Sequence, residues 1–220
     1  MARTTVSVGL VVATVALGAA CGGNSAVIPS GQTGPMTFFV SSATSTTGNL
    51  GGLSGADATC QRLATAAGAG GRTWRAYLSA DRDPDTGAPV NARSRIGIGP
   101  WRNANGELVA RNIDELHSRT GDAALFVTET GRRINGQWSG SPSPVEHDIL
   151  TGSTADGTLI PGRTCGDWTS AAANIGTRVG HADGLGPNQA TTGTLSSWNS
   201  AHDNQSCANT APGGGAGRIY

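Results

Sequence analysis

Apart from an apolar run at the amino terminus, hydrophobic positions fall into short clusters separated by long polar, glycine-rich stretches. Only one cluster has a helical period: Ala56, Cys60, Leu63, Ala64 and Ala67 fall on one face of a helix. Ser54 followed by Asp57 predicts the cap that starts this helix, and Gly68 predicts its stop. Thr73–Ser79 instead alternates Trp74, Ala76 and Leu78 against Arg75, Tyr77 and Ser79, a strand period. Met36–Ser41 and Ala123–Thr128 read as further short strands, with a loop over 42–52 and a short helical piece at Asp114–His117. This mixture predicts one α+β domain over 36–220, with short elements and long loops.

The amino-terminal run has a different meaning. Arg3 precedes the apolar stretch Val6–Leu17, and small residues close it, which is the plan of a secretory signal peptide over residues 1–20. Leu17-Gly18-Ala19-Ala20 immediately before Cys21 resembles the lipobox of bacterial lipoproteins. Lipidation of Cys21 would anchor the chain to a membrane without spanning it, whereas ordinary signal cleavage would release it. Residues 21–35 would then form the lipidated cysteine and a flexible tether, uncharged and rich in glycine. Beyond residue 20 nothing approaches the ~18 apolar residues that a membrane-crossing helix needs.

Composition narrows the function classes. The chain of 220 residues carries 15 basic and 15 acidic side chains, a balance that excludes general binding to nucleic acid. Its 34 glycines are about twice the usual share, which favours a loop-rich domain over a helical bundle. Six arginines between Arg72 and Arg102 meet only Asp81, Asp83 and Asp85, and they read as a solvated, internally paired face.

Gly55-Ala56-Asp57-Ala58-Thr59-Cys60, Ala67-Gly68 and Arg75-Ala76-Tyr77-Leu78-Ser79 resemble, in order, segments of the endostatin domain. Leu150-Thr151-Gly152-Ser153, Asp156-Gly157, Thr164-Cys165-Gly166-Asp167-Trp168 and Ser206-Cys207 continue the resemblance across 36–220. It implies a C-type lectin-like fold, a twisted and mostly antiparallel sheet with one or two helices. It also implies a disulfide between Cys165 and Cys207, closing a loop of about 43 residues and contributing ~4 kcal/mol by chain entropy. The family's partner for Cys60 would follow a terminal Arg-Ile-Tyr, where this chain ends at Tyr220, so Cys60 is expected as a reduced thiol buried on the inner helix face.

Local catalytic signatures are missing: there is no G-x-S-x-G, H-E-x-x-H, P-loop or C-x-x-C. Four histidines occur, at 117, 147, 181 and 202, with His117 read as a surface or helix-end residue. His181, Asp183, Trp198, Asn199, His202 and Asp203 form the candidate ligand-binding set, because the implied disulfide would draw their loops together. Such groups could bind a metal or hydrogen-bond a sugar beside the Trp198 ring, but the stronger reading is that they only hold loop backbone. Gly186-Pro187-Asn188 and Trp198-Asn199-Ser200 lack the carboxylates of a calcium-binding lectin, and residues 22–40 lack the histidines that endostatin uses for zinc. No metal and no cofactor are therefore expected.

The resulting expectation is a surface-anchored, non-enzymatic recognition domain that binds a polysaccharide or protein through its carboxy-terminal loops. A structural envelope lipoprotein is the first rival. A hydrolase using Asp183, His202 and Asp203 is the second.

Overall fold

The computed structural model describes residues 34–220 together with Met1; the signal peptide, Cys21 and nearly all of the tether lie outside the described residues. Helix α1 (Gly52–Ala66) buries Leu53, Ala56, Cys60, Leu63 and Ala64 along one stripe. Its start corrects the expected cap. Gly51 and Gly52 turn the chain at φ of 78° and 74°, a conformation glycine adopts without steric cost, and Ser54 lies inside the helix. Asp57 is used elsewhere: its carboxylate accepts from the Ala76 N–H at 2.9 Å and pairs with Arg95 at 2.8 Å and Arg75 at 3.1 Å. Gly68 ends the helix as expected, at φ 79°, while the Ala69 N–H reaches back to the Ala64 carbonyl. Ala67 lies beyond the last turn and is exposed.

None of the three segments expected as strands forms a ladder, and Ala123–Phe126 is a turn in which the Leu125 and Phe126 N–H groups donate to the Asp122 carbonyl. In Thr73–Ser79 the burial does not alternate, since Ala76, Tyr77, Leu78 and Ser79 are all buried. Its backbone amides find separate acceptors, Tyr77 on Tyr220 and Ser79 on Thr151, so the hydrogen bonds are satisfied one at a time. Met36–Ser41 and Ala123–Thr128 meet through a single parallel bridge, Val40 to Thr128.

The regular strands are elsewhere. β1 (Trp101–Arg102) and β2 (Leu108–Ala110) form a small antiparallel pair, followed by α2 (Ile113–Ser118), whose Asn112 side chain accepts from the Glu115 N–H. β3 (Asp148–Leu150), β4 (Thr177–His181), β5 (His202–Asn204) and β6 (Gly215–Arg218) build one sheet in the order β5-β4-β3-β6, antiparallel except where β3 runs parallel to β6. Leu150 and Val179 join α1, Trp74 and Trp168 in one apolar cluster. Ile149 joins Phe38, Tyr77, Phe126, Trp198 and Tyr220 in a second. The α+β class is thus present.

Cys165 and Cys207 are bonded, 42 positions apart. Cys165 opens a left-handed turn, α3 (Cys165–Trp168), with φ between 49° and 64° through Trp168. Each non-glycine residue there costs roughly 1–2 kcal/mol. Bonds that only this turn permits offset the cost: the Asp81 N–H donates to Asp167 Oδ1 at 2.6 Å, and the Trp168 indole N–H donates to the Ser79 carbonyl at 2.7 Å. Cys60 is a buried free thiol, and burial first, then the nearby Asp57, pushes its pKa up to about 12. No helix of the described residues is long and apolar enough to cross a membrane, and the disulfide is consistent with an exported protein.

Candidate functional site

Sheet register brings together side chains that lie far apart along the chain. Asp148 of β3 stands opposite His181 of β4, and His202 of β5 stands opposite Val179, two positions from His181. Opposed residues share a face and alternate positions return to it, so Asp148, His181 and His202 project from one face of the sheet. His147, just before β3, stacks its ring on His181 with centroids 4.4 Å apart, and the His202 ring meets His181 edge-on at 5.0 Å.

The imidazoles converge on one carboxylate. His147 Nε2 lies 3.4 Å and His181 Nε2 3.3 Å from Asp148 Oδ1, while His202 Nε2 lies 3.4 Å from Asp148 Oδ2. Asp148, His147 and His181 are about 1–2 % exposed, whereas the His202 side chain is 35 % exposed. None of these contacts has hydrogen-bond geometry: both Asp148 oxygens and His181 Nε2 are buried without a hydrogen-bond partner among the described residues. Ligand atoms of His147, Asp148 and His181 all lie within 4.8 Å of one another.

The far side of each ring is occupied. His147 Nδ1 is 2.7 Å from Asp183 Oδ1, His181 Nδ1 is 2.7 Å from the Leu195 carbonyl, and His202 Nδ1 is 3.3 Å from the Asp203 carbonyl. A carboxylate and a carbonyl only accept, so each Nδ1 must donate, and a ring that carries no second proton presents a bare Nε2 lone pair to Asp148. Burial first, then the neighbouring His147, holds His181 below its ordinary pKa. His202 is raised, chiefly by its contact with Asp148. Burial alone would push Asp183 up, but bonds from His147, Gln137 and Leu185 outweigh it and its pKa falls.

Glycines close the cluster on the side of β6. A Cβ on Gly214, whose φ is 112°, would come within 3.2 Å of the His147 ring, and one on Gly213 within 3.4 Å of Asp148 Oδ2. Beyond His202 the chain opens into a cavity of about 480 Å³ lined by His202, Asp203, Asn204, Gln205, Ser206, Pro212 and Gly213.

The six candidate residues therefore part company. His181 and His202 enter the cluster, and Asp183 supports it through His147. Asp203 faces away, held by Arg163 at 3.1 Å and Arg178 at 2.8 Å, so Asp183, His202 and Asp203 each have a different partner and share no common one. Trp198 and Asn199 require correction as ligand contacts. The Trp198 ring is fully buried among Phe126, Tyr77 and Tyr220, and its N–H donates to the Leu116 carbonyl at 2.9 Å. Asn199 donates to the Tyr77 hydroxyl at 2.8 Å and to the Thr154 and Ala155 carbonyls. An indole gains more by burying its large apolar area than a loop gains by displaying it. His117 is likewise half-buried, between Tyr77 and the Ile113 carbonyl.

His147 and Asp148 were missed from sequence. Their one local signal is a polar pair abutting the apolar Ile149-Leu150 of a buried strand.

A family described as a protein of unknown function (DUF1554) matches residues 43–185. No curated protein matches the chain.

Proposed function

The chain belongs to the DUF1554 family, and we propose that it is an exported recognition domain of endostatin-like, C-type lectin-like fold, anchored through a lipidated Cys21, that binds a polysaccharide. The observation that supports this reading is the cavity beside β5, where the run His202-Asp203-Asn204-Gln205-Ser206 supplies donors and acceptors in succession at its wall. Sugar hydroxyls need such paired groups in fixed positions. The Cys165–Cys207 bond pins the chain just past this run, which keeps the wall from opening.

The reading is tested by presenting the full chain to an array of glycans and cell-envelope polysaccharides. Specific binding lost on Gln205→Ala, with the fold intact, is the expected result. Silence across a folded, disulfide-bonded sample would replace recognition by the structural envelope role. Binding to a purified envelope protein alone would move the ligand from sugar to protein.

A further inference from the structure

We propose that His147, Asp148 and His181 form a binding site for a zinc-class divalent transition ion, with His202 at its rim. The Asp148 carboxylate and the Nε2 lone pairs of neutral His147 and His181 are all acceptors, and they crowd together where water is scarce. Without a positive centre between them such a set is repulsive. Native interiors rarely leave a carboxylate with both oxygens unbonded, and such a group calls for a functional explanation.

Spacing points to a metal as that centre. Around a tetrahedral zinc with bonds of about 2.0–2.2 Å, neighbouring ligand atoms stand about 3.3–3.6 Å apart. His147 Nε2 and His181 Nε2 stand 3.4 and 3.3 Å from the same oxygen, Asp148 Oδ1, long for hydrogen bonds and right for two edges of a coordination polyhedron, while His202 Nε2 faces Oδ2 at 3.4 Å. Two imidazoles and one carboxylate make a set of intermediate softness, suited to zinc and its neighbours rather than to calcium or magnesium, and they leave a fourth position on the His202 side.

The outer groups are also those of a metal site. Metal-bound histidine commonly donates its second ring nitrogen to a carboxylate or backbone carbonyl, which fixes the tautomer and aims the ring. Asp183 does this for His147, and the Leu195 carbonyl does it for His181. Asp183 is therefore a positioning residue. Glycines at 213 and 214 let the chain close over the site without a side chain in the way. Only His202 reaches solvent, at the cavity beside β5, so an ion enters and leaves from that side. The inference does not depend on the nature of any larger ligand in the cavity.

The test is titration of Zn²⁺ into the chelator-treated full chain, read by calorimetry and by competition with a chromophoric chelator. Co²⁺ absorption reports the geometry. The expected result is one ion per chain with an intense visible Co²⁺ spectrum. Asp148→Asn and His181→Gln should abolish binding. His202→Gln, a change at the rim that leaves the buried groups in place, should weaken it while the thermal midpoint of the metal-free protein stays put. Asp183→Asn should weaken it by about 10–100-fold and alter the Co²⁺ spectrum, an effect that a merely structural role would not produce. Absence of stoichiometric binding to the folded wild type would overturn the proposal. So would binding that survives both His202→Gln and His181→Gln, because the ion would then sit elsewhere.

Discussion

Two neighbourhoods of the same molecule are buried to the same depth and differ in how their polar atoms are treated. Around Trp198, the indole N–H, the Asn199 amide, and the Tyr77 and Tyr220 hydroxyls all have partners. Around Asp148, the carboxylate and the His181 Nε2 have no hydrogen-bond partner among the described residues. Burial with satisfied hydrogen bonds is how a protein builds a core. Burial without them carries a cost that persists only where something else benefits from it. Loop residues that looked alike in sequence, His181, Trp198, Asn199 and His202, thus separate into scaffold and candidate site.

Truncating the scaffold should have the largest effect. Trp198→Ala removes a fully buried ring that four other aromatic side chains pack against, Phe38, Tyr77, Phe126 and Tyr220, and it should lower unfolding stability by about 3–5 kcal/mol. Urea unfolding followed by near-ultraviolet circular dichroism measures it. A loss under about 1 kcal/mol would mean that the ring is not a core anchor, and the contrast between the two neighbourhoods would collapse.

The opposite sign is expected at the other site. In the metal-free protein Asp148→Asn supplies an N–H to the imidazole lone pairs and removes a charge with no bonding partner. Stability should rise, by about 1–3 kcal/mol, the scale of an unsatisfied buried group. Few core substitutions to a near-isostere stabilise, so a gain in chelator followed by a deficit relative to wild type in zinc would be diagnostic. A substantial loss in chelator would show that the carboxylate is well bonded in solution.

That contrast was only partly legible in the sequence. The inner face of α1 could be read because a helix repeats its environment every turn, and Ala56, Cys60, Leu63 and Ala64 report that period directly. The Cys165–Cys207 pair followed from the endostatin-like order of segments. Thr73–Ser79 misleads because a two-residue alternation marks a strand only when one side faces solvent throughout, and here Ala76 to Ser79 are all enclosed. The metal-like cluster depends on β3–β4 and β4–β5 register, a long-range property that spacing along the chain does not encode. Trp198 was read as a display residue because the Leu116 carbonyl that receives its N–H comes from a distant helix.

A smaller effect should follow from deleting one atom of the scaffold network. The Tyr77 hydroxyl accepts from Asn199 and donates to His117 Nε2, each at 2.8 Å. Tyr77→Phe keeps the ring packing and leaves the half-buried His117 nitrogen unpartnered, at a cost of about 1–2 kcal/mol. Asn199 retains its bonds to Thr154 and Ala155, which limits the damage. A double-mutant cycle with His117→Gln isolates the coupling, and additive losses would show that the two side chains do not interact.

The finest distinction is in pH. His117 donates from Nδ1 to the Ile113 carbonyl and accepts at Nε2 from Tyr77, a pattern that requires the neutral ring. Burial, partly opposed by that Ile113 bond and reinforced by Arg93, lowers its pKa from 6.5, with Asp156 and Asp114 acting the other way. The unfolded chain therefore binds a proton that the folded chain resists. Stability contributed by His117 is intact above pH 6.5 and falls as the pH drops through that value, levelling off once the folded ring is also protonated. His181 shifts in the same direction and His202 in the opposite one, so the total slope mixes all three. The difference between wild type and His117→Gln, measured in chelator across pH 5–8, removes the shared part. It should show wild type losing relative stability on the acid side. A difference that is flat, or that grows in favour of wild type as pH falls, would mean that the ring is charged in the fold, and the satisfied neighbourhood would then contain a buried cation of its own.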